Sequence, residues 1–250
     1  MAWCNLVTDA VDGVENARRQ MTFYDTYGWD FCKAMNDYRF VPPAGVETIA
    51  SSTDMLAFVR QPMTDRIFAE QLSCLRIMRK QLPPDVPLID TLFEPFFSVL
   101  FGVGFSKAAF IRSHPAESKV MLSAITDSLL DYIAEVKRIG VDGMLYATNA
   151  CILTPSSRGI SDAEFREFHE PYDRKLLDAM NGMVRIVHAH GNPLDLSRIM
   201  DYPCEVLSWS DRLAGNASVA DVRKTTTKCL MGGIDESRLL GSWKKIVPSV

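Results

Sequence analysis

Two histidines at alternate positions, His188 and His190, close a short apolar run at 183–191 that ends in Gly191. The run reads Met-Val-Arg-Ile-Val-His-Ala-His-Gly, too short for an ordinary helix and bounded by Gly182 before it and Pro193 after it. Its β-compatible residues predict a buried strand that delivers chemistry at its tip. Side chains alternate along a strand, so both imidazoles project to one side, where they can share a metal ion or a substrate. A lone histidine near a strand end is more often a hydrogen-bonded core or rim residue than a ligand. Two at alternate positions, closed by a glycine that lets the backbone turn sharply, bring ligand and core readings level.

Other reactive side chains also follow strand-like runs: Arg39, Glu94, Thr148, Asn149, Asp211 with its neighbour Arg212, and Asp235. Cys151 and Arg158 lie in a polar, turn-rich loop at 148–159. The strands that must position these groups are expected at 2–7, 29–35, 86–91, 141–147, 183–191, 205–209 and 228–231. Helices are expected between them. One runs over 14–27 and stops at Gly28; a second is capped by Thr64 and ended by Pro83 and Pro84. The apolar segment from Glu94 to Phe105 reads as a short buried helix and a loop. A long amphipathic helix begins at Pro115, carries Leu122, Ile125, Leu129, Ile133 and Val136 at helical spacing, and ends at Gly140. Ser161 to Glu164 forms a capping box for a last long helix that runs to Gly182.

Strand, polar loop, helix, repeated without hairpin signals, implies a parallel sheet covered by helices, either a (β/α) barrel or an open doubly wound sheet. Polar residues gather after strands, where barrel enzymes build their sites, and this favours the TIM-type barrel. No glycine-rich nucleotide fingerprint follows any strand. The 250 residues, 47% hydrophobic, suffice for one large domain spanning 1–250. A formal net charge of −4 and the lack of a Lys/Arg run argue against nucleic acid as a partner. No apolar run approaches the roughly 20 residues of a membrane span, and the N-terminus has no signal-like segment, so a cytoplasmic protein is expected. The six cysteines are scattered with no CxxC pair, which predicts reduced, mostly buried thiols.

Several pieces, in order, resemble the uroporphyrinogen decarboxylase superfamily, which includes corrinoid-linked methyltransferases. They are Tyr24-Asp25-Thr26-Tyr27-Gly28-Trp29-Asp30-Phe31-Cys32-Lys33, Gly143-Met144-Leu145-Tyr146-Ala147-Thr148-Asn149, and Phe165, Phe168, Pro171 and Tyr172. His188-Ala189-His190-Gly191 and Leu230-Met231-Gly232-Gly233-Ile234-Asp235 complete the set. The resemblance covers nearly the whole chain and implies a (β/α)8 barrel with its site at the carboxyl ends of the strands. Two departures bear on function. The arginine-containing amino-terminal segment that meets substrate carboxylates in the decarboxylases is missing before Met1. In the zinc methyltransferases the position of His190 usually holds cysteine, with a further cysteine ligand near the carboxyl end.

Zinc-assisted methyl transfer from a corrinoid, or a similar methyl donor, to a thiol is therefore the first expectation, with His188, His190 and Cys151 as ligands, or Asp211 in place of Cys151. A catalytic zinc needs only three protein ligands and an open position, and it would lower the pKa of a bound thiol. The alternative is decarboxylation of uroporphyrinogen-like acetate side chains, which needs cations to hold carboxylates and an acid or carboxylate to stabilise a protonated pyrrole. Lys33, Arg39, Arg158 and Arg212 could supply the cations, and Asp211 or Glu94 the second group. Thr148 and Asn149 join the catalytic set, and Tyr146 and Asp235 the substrate-binding set. A third reading is a non-catalytic binding barrel. The partners these readings name are a small-molecule thiol or tetrapyrrole, a corrinoid protein and a second copy of the chain, without membrane. Seven strands are counted, and the resemblance runs out over 239–250. The chain is therefore expected to be a truncated barrel lacking its last β/α unit, unless segment 47–60 or a second copy closes the gap.

Overall fold

The computed structural model describes residues 11–38, 40–153 and 159–233. The first helix, α1 (Gly13–Tyr27), starts where the Asp12 side chain accepts from the Glu15 N–H and stops at Gly28, whose φ of 61° suits glycine. It leads into β1 (Cys32–Lys33), after which α2 (Ser52–Leu56) and α3 (Arg66–Gln81) precede β2 (Leu88–Phe93). The cap of α3 is Asp65, one residue beyond the expected Thr64. Segment 47–60 contributes α2, which packs on the later helix at Pro115–Ile139, and adds no strand.

Pro95 opens α4 (Pro95–Val103), followed by a 3-10 turn and α5 (Ala108–Arg112). The helical segment bends by 118° between these two parts, and no single helix among the described residues is long and apolar enough to cross a membrane. The long helix α6 (Pro115–Ile139) ends as expected on left-handed Gly140. It buries Leu122, Ile125, Leu129, Ile133 and Val136 against the sheet layer. The remaining strands are β3 (Gly143–Thr148), β4 (Val184–Ala189), β5 (Val206–Trp209) and β6 (Cys229–Met231), with α9 (Val219–Val222) before β6.

Between β3 and β4 the expected single helix is two: α7 (Asp162–Phe168), with both bonds of its Ser161 capping box formed, and α8 (Glu170–Ala179). They break at His169, whose φ and ψ are −124° and −64°. Pro171 explains the break, because it has no N–H to donate and its ring opposes continuous helix through the preceding turn.

All six described strands are parallel and lie in the order β1-β2-β3-β4-β5-β6. They form a curled half-barrel with helices outside, part of the TIM-type architecture. The strand expected at 2–7 lies outside the described residues. Alternation divides each strand between two faces. Ile89, Leu145, Ala147, Ile186 and Val206 meet on the inner face, with Phe31, Phe93 and Met231 packed against them. Met144, Tyr146, Val187, Leu207 and Trp209 face the helices in the larger core.

Candidate active site at the carboxyl ends of the strands

A cavity of about 200 Å³ opens at the carboxyl ends of β1 to β4. The segment after β1 supplies Met35, Asn36, Asp37, Tyr38 and Phe40, and β2 with α4 supplies Phe93, Phe97, Ser98 and Phe101. Ala147, Thr148 and Asn149 end β3, and His190 follows β4. The phenylalanine wall is continuous: the rings of Phe93 and Phe101 are 5.2 Å apart and those of Phe97 and Phe101 4.1 Å, both edge to face. Among the described lining residues there is no lysine or arginine.

His188 and His190 project from the same side of the chain, with ring centroids 6.1 Å apart. His188 Nδ1 lies 3.0 Å from Ser208 Oγ, and His190 borders the cavity. Burial, followed by the nearby charges of His190 and Lys33, lowers the His188 pKa to about 3. Its imidazole is therefore neutral near pH 7. Gly191 then takes a φ of 124°, and a Cβ there would sit 2.6 Å from Ile152 Cγ1. Only glycine makes this turn comfortably.

One wall of the cavity is held by Glu94, which is completely buried between β2 and α4. One carboxylate oxygen accepts from Thr148 Oγ1 at 2.9 Å and the other from the Asn149 backbone N–H at 3.0 Å. The first also pairs with His169 Nδ1 at 2.8 Å, and His169 is 4% exposed. His169 is not among the site residues expected from the sequence. Its one local signal is the helix break before Pro171, and its partner lies 75 positions away.

The other candidates lie elsewhere. Tyr146, expected to touch substrate, falls on the helix-facing side by strand alternation and is fully buried. Its hydroxyl donates to Asp173 at 2.5 Å, and Tyr202 donates to the other oxygen at 2.9 Å. Burial, with the Glu94 charge adding to it, pushes Asp173 up to about 7. Lys33 borders a separate cavity of about 160 Å³ beside Gln20, Tyr24 and Trp29. Asp211 accepts from the Gly233 N–H at 2.9 Å, and its Oδ2 lies 3.4 Å from Nε of Arg212, whose side chain is 58% exposed. Neither residue lines the main cavity. Arg39, Arg158 and Asp235 lie outside the described residues.

The zinc expectation does not fit the described donor set. Cys151 is fully buried in the helix-side core, where burial pushes its thiol well up, so a thiolate there is opposed. Among the described residues no group of three His, Cys, Asp or Glu side chains is arranged to hold a metal ion. Cys151 follows a strand, but its side chain packs in the helix-side core while His188 turns inward.

In structure, the chain is similar to a methyltransferase from Methanosarcina mazei, with a TM-score of 0.63 and 17% identity over 80% of this chain. The alignment spans 64% of that protein's length. An enolase superfamily member from Salmonella Typhimurium and a putative racemase from Roseobacter denitrificans align with TM-scores of 0.48 and 0.46, each at 11% identity. These cover 90% of this chain, and 44% and 45% of theirs. No curated protein matches the chain in sequence. The family model for uroporphyrinogen decarboxylase (URO-D) matches residues 41–250, and the chain belongs to that family.

Proposed function

We propose that the cavity at the carboxyl ends of β1 to β4 is the active site of a methyltransferase, one that passes a methyl group to a small thiol. The donor in this reading is a methylated corrinoid carried by a partner protein. The observation that carries it is the character of the walls: Phe93, Phe97, Phe101, Tyr38 and Phe40 make a small aromatic chamber whose polar edge is Asn36, Asp37, Ser98, Thr148, Asn149 and His190. Such a chamber suits a small, weakly polar substrate. Among the described lining residues no cation supplies the ring of positive charge that a tetrapyrrole bearing several carboxylates calls for.

The chemistry needs few groups. A thiol seated against the aromatic wall transfers its proton to His190, and the sulfur electron pair attacks the methyl carbon as the bond from that carbon to the donor breaks. The departing electron pair stays on the donor. The aromatic wall excludes water from the sulfur, and the Glu94 network fixes the Thr148 and Asn149 edge.

The test supplies the purified chain with a methylated corrinoid and a small thiol, following the methyl thioether by mass spectrometry, and separately with uroporphyrinogen, following carbon dioxide. Thioether without carbon dioxide is the expected result. Carbon dioxide release without thioether overturns methyl transfer in favour of decarboxylation.

A further inference from the structure

Behind the main cavity lies a smaller one of about 40 Å³, bounded by Phe96, Leu100, Ala108, Arg112, Asn149 and His169, among others. Three buried side-chain atoms on its wall residues have no hydrogen-bond partner within the protein: His169 Nε2, Asn149 Oδ1 and Arg112 Nε. Arg112 Nε is 2.8 Å from Glu164 Oε1, but its N–H is not aligned for a hydrogen bond. Buried polar groups left in this way are rare in folded proteins.

Glu94 decides what His169 offers. With Nδ1 2.8 Å from the carboxylate, that nitrogen carries a proton and donates it, and in the tautomer whose single ring proton sits there Nε2 is an acceptor. The cavity wall thus presents two acceptors, His169 Nε2 and Asn149 Oδ1, and one donor, Arg112 Nε. A water molecule has the complementary set, two donor hydrogens and an accepting oxygen, and the volume holds roughly one to three waters. An ammonium ion would offer the donor hydrogens but no lone pair for Arg112 Nε, and the guanidinium opposes its charge.

We propose that this cavity is a built water site, in which one water donates to His169 Nε2 and Asn149 Oδ1 and accepts from Arg112 Nε. Asn149 lines both cavities, so the site reaches the main one. His169 is a positioning residue: Glu94 fixes its tautomer, the ring fixes the water, and the water fixes the Asn149 amide at the edge of the main cavity. The inference stands on geometry alone and holds whichever reaction that cavity performs.

Nuclear magnetic resonance of the full chain labelled with 15N-histidine and 15N-asparagine tests it, beside Ala108→Ile, which fills the small cavity from α5. In the wild type, His169 is expected as the Nδ1–H form with Nε2 at the shift of a hydrogen-bonded acceptor, and the Asn149 amide pair is expected to contact a long-lived water. In folded Ala108→Ile, the Nε2 signal is expected to move toward that of an unbonded lone pair, and the Asn149 pair to broaden. Protonated Nε2 in the wild type, or unchanged His169 and Asn149 signals in folded Ala108→Ile, overturns the proposal. Should Ala108→Ile not fold, a high-resolution crystal structure of the wild type decides. A water bonded to all three atoms upholds the proposal, and its absence overturns it.

Discussion

Glu94 does at residue scale what no single histidine does: it binds the end of β2 to the end of β3 and to the α7–α8 break. Thr148 is its most separable partner, donating to Glu94 at 2.9 Å and accepting from the Ala150 N–H at 3.0 Å. Thr148→Val keeps the shape and deletes both bonds. It is expected to cost about 1–3 kcal/mol of unfolding free energy, measured by urea titration, because it leaves a buried carboxylate short of a donor. The contrast between His190 and His169 shows what a sequence can reveal here. His188 and His190 were legible because strand alternation is local and places i and i+2 together. His169 was not, since its partner is reached only through the packing of α7 and α8 over β2 and β3. Tyr146 misled for a related reason: it shares a face with Thr148, but lies two residues deeper, under the helices.

The strands and helices are also tied together by buried carboxyl groups. Asp90 of β2 accepts from Gln71 of α3 at 2.8 Å and from Tyr132 of α6 at 2.6 Å. Burial raises its pKa from 3.8 to about 6. The folded chain therefore holds this proton more tightly than the unfolded chain, so Asp90 makes stability fall as pH rises from about 4 to about 6 and adds no slope above that. Asp90→Asn is expected to remove a slope on the order of 3 kcal/mol over that window, read from denaturant titrations at several pH values. At the tip of β4, Gly191→Ala must accept a φ of 124° and move Ile152. A loss of about 1–3 kcal/mol is expected in the same titration. Most elements were legible because their signals are local: Gly28 and Gly140 end α1 and α6, and Ser161 caps α7. The division at His169 was obscured by an apolar stripe that continues across it, through Phe165, Phe168, Tyr172 and Leu176.

The molecule as a whole is a curled parallel sheet whose described strands run in chain order, so every described carboxyl end opens on the same side. That arrangement follows from the alternation of strands and helices, which is why the architecture could be read before the site. The site could not be read as far, because a cavity depends on which of several loops converge. Arg212 and Asp211 follow β5 but pair with each other away from the aromatic chamber, while His190 reaches it from the end of β4. In the proposed function the reaction takes place at His190 and the phenylalanine wall. Its most direct measurement is kcat/KM for thioether formation from a methylated corrinoid and a small thiol, compared between wild type and His190→Ala. A fall of about 100-fold or more, with the thermal midpoint within about 2 °C, is the expected result. An unchanged kcat/KM in the folded variant would contradict the account.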